Sequence, residues 1–527
     1  MMKVLISDSV SPRAAEIFQK TPEISVDVRT HMSPKELQTA IMEYDGLVVR
    51  SATKVTADVL SRAVKMKVIG RAGAGVDNID VGAATKRGIL VMNTPGGNTT
   101  AAGEHAIAMM LALCRKIPQA TASMKSGKWE KSRFVGVEVG DKILGVIGLG
   151  KIGTLVADRA LGLRMKVLGY DPLITNEIAS QLGIELVSLD DLFSRSDVIT
   201  VHTPLNSETR NLLNASAFAK MKAGVMVINC ARGGIVNEKD LFAALEQGKV
   251  SGAALDVFAE EPPKDSPLLA MDQVILTPHL GASTEEAQES VALLIAEQMV
   301  DFLINGTIRN AVNFPSVSPE VLATIRPYLD LAERLGSFQA YLAPPGIREV
   351  AIEYCGQVAE INVAPVTLAL LKGLLARQVG EEVNYVNALL IAKERGIRVM
   401  ENKTSTAENF TSLIRLKVKT LKAESQVAGT IFGKKDPRIV QVNQFFIEAI
   451  PEGPMLLLHA LDQPGVIGNI GVTLGKNGVN IGRMQFGREL KEGRALVLLN
   501  TDSQVSNEVL EKLHALPNII SVCQLII

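Results

Sequence analysis

Three short stretches of the sequence set reactive side chains just beyond apolar, strand-like runs. "INCARGG" puts Arg232 past the first, "ALDVFAEEPP" puts Asp256, Glu260 and Glu261 past the second, and "ILTPHLGAS" puts His279 past the third. Ligands of open α/β sheets bind outside the carboxyl ends of the strands, so all three ends can meet over one crevice. A guanidinium, a carboxylate and an imidazole together suit oxidation of a 2-hydroxy acid beside a nicotinamide. His279 would take the hydroxyl proton as hydride leaves the adjacent carbon, with Glu261 bonded to the ring to orient it. Arg232 would hold the substrate carboxylate in its planar fork. Each residue alone has a plain structural explanation; their placement at successive strand ends is what points to chemistry.

The nicotinamide itself is implied upstream. "VIGLGKIG" carries Gly148, Gly150 and Gly153 as G-x-G-x-x-G, directly after an apolar strand and opening a helix. Such glycines serve a tight turn, close backbone approach to a pyrophosphate, and close helix packing. The pyrophosphate would rest on the helix N-terminus, where free N–H groups favour anions. "VLGYDP" ends the next strand with Asp171, 23 residues after the first glycine. A carboxylate there accepts from the ribose hydroxyls and repels a 2′-phosphate, so NAD rather than NADP is expected.

These residues need a scaffold of alternating strands and helices. "KVLISD", "DGLVVR", "MKVIGR" and "GILVMN" read as buried parallel strands before residue 98, and a second series runs from "KILGVIGLG" to "QVILTPH". Two parallel-sheet α/β units in succession follow. Between them "NTPGGNTTAAGEHAIAMMLALCRKI" predicts a long helix, apolar almost all round, capped by Thr99 or Thr100 and buried at an interface. A second long helix ends near residue 305, followed by the linker "RNAVNFPSVSPE". A mixed unit spans about 320 to 452, in which "KKDPRIV" reads as a hairpin turn. The last segment orders its elements βαββαβ, the ferredoxin-like pattern.

Composition narrows the partners. At 527 residues three or four domains are expected. The net charge of −1, without runs of like charge, leaves no electrostatic footprint for nucleic acid. Cys114, Cys230, Cys355 and Cys523 lack metal-ligand spacing, so no metal is expected and a reducing, cytoplasmic setting is. The most apolar stretch, 105 to 114, is shorter than the roughly 20 residues of a membrane span.

Residues 1 to about 312 resemble the D-isomer-specific 2-hydroxyacid dehydrogenases. The likeness rests on "VRSATKVTADVL", "GRAGAGVDNIDVGAATKRGILVMNTPGGNTTAAGEH", "PQATASMKSGKWE", "GVIGLGKIG", "NCARGGIVNE", "ALDVFAEEPP" and "PHLGAS". It implies a Rossmann-like coenzyme domain (99–285) inserted within a Rossmann-like substrate domain (1–98 and 286–316). The helix from about 285 to 305 and a strand after it would return the chain to the first unit. It also implies the roles given above for Arg232, Glu261 and His279. NAD contacts carry over to Lys151, Ile152, Asp171, Thr203, Cys230, Ala231, Arg232, Asp256, His279, Gly281 and Ala282; Ala74 stands where the family often has Thr. Arg50, Ser51, Arg71 and Asn98 fall at apparent strand ends of the substrate half, and guanidinium groups beyond Arg232 suit a phosphorylated three-carbon acid. The expected reaction is NAD-dependent oxidation of 3-phospho-D-glycerate to 3-phosphohydroxypyruvate, at the head of a route to L-serine. Arg133, or Lys131, would reach a neighbouring subunit's site.

The last third resembles two accessory units. Residues 317–452 are similar to the intervening domain of long members of that family, and Lys393, Arg395 and Arg398 there could hold a phosphate or form a solvated basic helix end. "LDQPGVIGNIGVTLGKNGVNIGRMQFGR" resembles the ACT domain, which takes residues 453–527. Asp462 would cap a helix begun by Pro464, Gly465 would admit an L-serine effector to backbone N–H groups, and Asn480, on the following strand, would face a partner copy. A homotetramer is expected. Two other readings stay open: a glyoxylate, hydroxypyruvate or other 2-keto acid reductase, and a dinucleotide-sensing corepressor or scaffold.

Overall fold

A computed structural model describes residues 1–315, 319–380, 382–407, 409–433, 435–489 and 493–527. Strands β1 (Met2–Ile6), β2 (Ile24–Val28), β3 (Gly46–Val49), β4 (Val68–Arg71) and β5 (Leu90–Met92) form a parallel sheet ordered β2-β1-β3-β4-β5. Strands β6 (Ile143–Ile147), β7 (Lys166–Tyr170), β8 (Glu185–Leu186), β9 (Val198–Val201), β10 (Val225–Asn229), β11 (Val250–Leu255) and β12 (Val274–Leu276) form a second. Its order is β12-β11-β10-β9-β6-β7-β8, and every pairing is parallel. Neither β2 nor β8 is marked by a strand pattern in the sequence. The first is half-exposed and interrupted by Asp27, and the second has only two residues.

Two helices carry the chain between these sheets. Helix α1 (Thr99–Arg115) packs along helix α2 (Lys151–Gly162) through Met109, Met110 and Leu113, in one core with Val146 and Val156. The cap expected at Thr99 or Thr100 lies one residue earlier: both threonines are inside the helix, and Asn98 is the N-cap without a side-chain bond. Helix α3 (Glu285–Asn305) starts on a true cap, Thr284 Oγ1 accepting the Ala287 N–H, with Glu285 and Glu286 favouring the positive end of the dipole. It stops at Gly306, whose φ of 68° suits glycine. Its buried Val291, Ile295 and Met299 cover the first sheet, each contributing about 1.5–3 kcal/mol. Gly70 makes that approach possible, since a Cβ there would collide with Met299 and Ile295. After α3 the described chain rejoins the first sheet through an isolated bridge, Met92 to Ala311, and no strand is formed where one was expected.

Residues 316–318 of the expected linker lie outside the described residues. Beyond them helices α4 (Pro319–Leu342) and α5 (Ala364–Val379) cover one face of a six-stranded sheet, and helix α6 (Ala388–Glu394) lies beside α5. That sheet contains β13 (Ile347–Gly356), β14 (Arg398–Thr404), β15 (Ser412–Thr420), β16 (Glu424–Phe432), β17 (Asp436–Val442) and β18 (Phe445–Ala449), ordered β14-β13-β15-β16-β17-β18. The hairpin expected at "KKDPRIV" is the β16–β17 turn, but of that stretch's described residues only Lys435 lies in it and residues 436–440 are already strand β17; Lys434 is outside the described residues. The final unit is β19 (Pro454–Leu461), helix α7 (Val466–Lys476), β20 (Ile481–Glu489), β21 (Arg494–Thr501), helix α8 (Asn507–His514) and β22 (Ile519–Ile526). Its antiparallel sheet is ordered β20-β21-β19-β22. One face of that sheet packs on α7 and α8 through Leu456, Leu458 and Leu499. The opposite face, with Met455, Leu457, Leu496, Leu498 and Leu525, shares a core with Leu331, Leu335 and Phe445 of the preceding unit.

Candidate active site

The carboxyl ends of both parallel sheets face one cleft. Arg50 follows β3, Arg71 ends β4, Gly148 follows β6, Asp171 follows β7, Cys230 follows β10, Asp256 follows β11 and Thr277 follows β12. A cavity of about 380 Å³ opens there, lined among others by Arg50, Ser51, Arg71, Glu261, His279 and Ala282. A larger one, about 690 Å³, lies beside Tyr328, Ser412 and Thr430 in the six-stranded unit. Its described lining offers Lys435 but no acid–base pair like that of Glu261 and His279 in the smaller cavity.

At its centre Glu261 Oε2 lies 2.8 Å from His279 Nδ1. The other oxygen, Oε1, accepts the Phe258 N–H at 3.1 Å, which fixes the carboxylate. His279 sits at φ 55°, the left-handed region, which costs a residue with a Cβ roughly 1–2 kcal/mol. Arg232 bonds its own flank, Nη1 donating to the Ala231 carbonyl at 2.7 Å, and its Nε lies 3.0 Å from Asp77 Oδ2. Glycines clear the room for these guanidinium groups: a Cβ at Gly75 would collide with Arg232 Nη2, and one at Gly73 with Arg71 Nη1.

Arg71 is the most deeply placed cation. Burial, then the neighbouring Arg232, pull its guanidinium down to about 10, with Arg50 adding repulsion. Its Nε is buried with no protein partner among the described residues. The Arg50 loop is held from beneath by a buried carboxylate. Asp8 Oδ2 accepts the N–H groups of Arg50 (2.6 Å) and Thr53 (3.1 Å), while Asn78 Nδ2 donates to the carbonyls of Arg50 and Thr53. Ser51 lines the same cavity. Asn98 does not; it stands at the head of α1, where its carbonyl accepts the Ala102 N–H. Arg133 lies elsewhere on its own chain, paired to Asp272 at 3.0 Å.

The glycine turn satisfies the three requirements separately. Gly148 adopts φ 91° and a Cβ would strike the His202 carbonyl; Gly153 abuts the Gly148 carbonyl; beside Gly150 there is open space. Lys151 and Ile152 begin α2, so the free N–H groups of its first turn face that opening. Asp171 accepts the Leu149 and Leu173 N–H groups, both at 2.8 Å. The Thr203 hydroxyl is buried and unpartnered among the described residues. An open glycine, an unpaired buried hydroxyl and a carboxylate at the next strand end fit a dinucleotide. Cys230 is half-buried, its thiol pushed up by burial and by Asp256, so it is inert packing beside that groove.

Asp256 is fully buried. Burial alone would raise its carboxyl, but donors from His105, Thr277 and the N–H groups of Leu280 and Gly281 outweigh that and hold it low. Asp8, Asp77, Asn78, His105 and Thr277 were not found from sequence. All are polar residues that brace the reactive ones, and no spacing rule marks them.

In the last unit Asp462 does not cap a helix. Its carboxylate pairs with Arg488 at 2.7 Å, and α7 begins after Gly465, the N-cap, at φ 94°. Pro464 lies in the turn before that cap, outside the helix. Asn480 is exposed, one residue ahead of β20, and donates to Asp502 at 2.7 Å. Lys393, Arg395 and Arg398 do not form one turn: Lys393 is in α6, whereas Arg398 begins β14, with Glu349 at 3.6 Å.

Comparison with known proteins places the chain. Residues 107–281 match the family described as D-isomer specific 2-hydroxyacid dehydrogenase, NAD binding domain. Residues 324–443 match the D-3-phosphoglycerate dehydrogenase intervening domain, and 455–518 the ACT domain. D-3-phosphoglycerate dehydrogenase of Synechocystis is 47% identical over 97% of this chain and 92% of that protein. That of Archaeoglobus fulgidus is 45% identical over 98% and 99%. Among solved structures, the D-lactate dehydrogenase of Aquifex aeolicus complexed with NAD and lactic acid superposes with a TM-score of 0.52 at 30% identity. It covers 59% of this chain and 100% of its own. The apo D-lactate dehydrogenase of Escherichia coli gives 0.53 at 29% identity, covering 59% and 100%.

Proposed function

This chain belongs to the D-3-phosphoglycerate dehydrogenase family, and from that premise we propose that it oxidises 3-phospho-D-glycerate to 3-phosphohydroxypyruvate, the first step of a route to L-serine. The observation that carries the substrate assignment is the cation set. Arg50 and Arg71 share the cavity with His279, and Arg232 stands close enough to Arg71 to lower its proton affinity. A carboxylate needs one guanidinium fork; a phosphate dianion uses the others and relieves their repulsion.

Bound NAD supplies the hydride acceptor. Arg232 holds the substrate carboxylate, and Arg50 and Arg71 hold the phosphate, which presents the C2 hydroxyl to His279. With Nδ1–H donated to Glu261, Nε2 is the basic nitrogen and takes the hydroxyl proton as hydride leaves C2. Glu261 then balances the imidazolium. In reduction the same Nε2–H returns the proton.

The test is NADH oxidation with 3-phosphohydroxypyruvate, hydroxypyruvate and glyoxylate side by side. A strong preference for the phosphorylated acid supports the reading. Equal rates on all three would replace it with a general 2-keto acid reductase, and no turnover on any would favour a dinucleotide-sensing scaffold.

We further assign L-serine as effector to the last unit, at Gly465 with Asp462 and Asn480. The support is the ACT match and the open space beside Gly465. Unchanged NADH oxidation at saturating L-serine would remove that assignment. We place the protein in the cytoplasm as a homotetramer, supported by the wide spacing of the cysteines along the sequence and by exposed Trp129 and Val135 beside Arg133. A mass from light scattering other than four chains would overturn the assembly. No helix among the described residues is long and apolar enough to cross a membrane.

A further inference from the structure

The backbone that presents His279 is gripped by one residue of the neighbouring strand end. The Asp256 carbonyl accepts the His279 N–H at 3.0 Å, Oδ1 accepts the Leu280 N–H at 2.7 Å, and Oδ2 accepts the Gly281 N–H at 2.8 Å. Three successive amides are thereby fixed around a residue in the left-handed region, a conformation that persists only where its surroundings over-determine it. The Thr277 hydroxyl donates to the same Oδ1 at 2.6 Å.

One further donor reaches this group from a different element. His105, in the second turn of α1, places Nε2 3.2 Å from Asp256 Oδ1 and 3.2 Å from Thr277 Oγ1. Because the Thr277 proton is committed to Asp256, the threonine oxygen can only accept from His105. The network therefore assigns the His105 proton to Nε2, shared between both oxygens. Among the described residues, His105 is absent from the lining of the cavity and has no hydrogen bond to Glu261 or His279. Its ring nitrogen reaches toward Asp256, which fixes the His279 loop, and toward Thr277, which bonds that same carboxylate. Meanwhile α1 is the helix that begins where the chain leaves the first sheet, at Asn98.

We propose that His105 is a positioning residue for the acid/base histidine, acting through Asp256 and Thr277, so that the seating of the interdomain helix sets the aim of the His279 ring. The proposal rests on the reading that His279 is the acid/base. A displacement of about 1 Å at a reacting group can cost on the order of 10²-fold in rate. Loss of the His105 donor would loosen that aim without removing any residue assigned to substrate or cofactor.

The experiment uses the full chain and compares H105A, H105Q and H279A in 3-phosphohydroxypyruvate reduction, with NADH binding and thermal midpoint measured for each. H105A is expected to lower kcat by roughly 10- to 100-fold with KM little changed. H105Q, whose amide N–H can take the place of Nε2–H, should recover most of that kcat. Wild-type kcat in H105A would overturn the proposal. So would a fall in kcat matched by loss of NADH binding and of thermal midpoint and not recovered in H105Q, which would make His105 ordinary packing. Should H279A itself turn over normally, the acid/base reading fails instead, and the two failures are told apart.

Discussion

Glu261 Oε2 and His279 Nδ1 stand 2.8 Å apart, and the second Glu261 oxygen is tied to the Phe258 amide. The pair therefore has one free nitrogen, Nε2, and a carboxylate that cannot swing away from the ring. H279A should lose about 10²–10⁴-fold in kcat while still binding NADH. E261Q, which keeps the shape but not the charge, should lose less. Near-normal turnover of H279A in steady-state assays would remove the residue from the chemistry.

Arg71 should separate phosphorylated from plain substrates. Its buried guanidinium, flanked by Arg232 and Arg50, gains most from a dianion. R71A should raise KM for 3-phosphohydroxypyruvate by roughly 10- to 100-fold, the loss of one charge-assisted hydrogen-bonded contact. KM for glyoxylate should barely change. A uniform effect on both acids would count against a phosphate role.

Gly75 is a spacer for Arg232. In G75A the new methyl would occupy the place of Nη2, so the fork must shift. Lower kcat/KM with unaltered NADH affinity is expected. Unaltered kcat/KM would mean that Arg232 moves freely without consequence.

Asp171 should set coenzyme choice. D171A is expected to weaken NAD binding and narrow the preference over NADP, read from the two KM values. An unchanged ratio would defeat the ribose assignment.

His202 makes stability depend on acidity. Burial brings its imidazole down to about 4, against an unfolded value of about 6.5. Above that unfolded value both states are neutral and the contribution is complete. As pH falls from about 6.5 toward 4 the unfolded chain binds a proton that the folded chain refuses, so stability is lost. H202Q should show a shallower fall of thermal midpoint across that window. Parallel curves for the two proteins would refute the assignment.

What could be read in advance follows a physical divide. The glycine turn, Asp171, and the Arg232, Glu261 and His279 ends were legible because each is tied to a strand end or a fixed spacing. Asp8, Asp77 and His105 were not, because a brace is defined by what it touches across the fold, and that partner sits tens of residues away. Asp462 failed for a related reason: a cap and an ion pair both want a carboxylate before a helix, and only the presence of Arg488 decides between them. Asn98 in place of Thr99 at the head of α1 is a shift of one residue, the usual scale at which helix starts escape sequence patterns.

The apolar face that Met455, Leu457, Leu496, Leu498 and Leu525 present to Leu331, Leu335 and Phe445 ties the last two units into a single cooperative block. Heated, residues 324–443 and 455–518 should melt together in one calorimetric transition rather than two. Cutting the chain between them would leave two sticky halves, so the C-terminal unit cannot be borrowed as a detachable module.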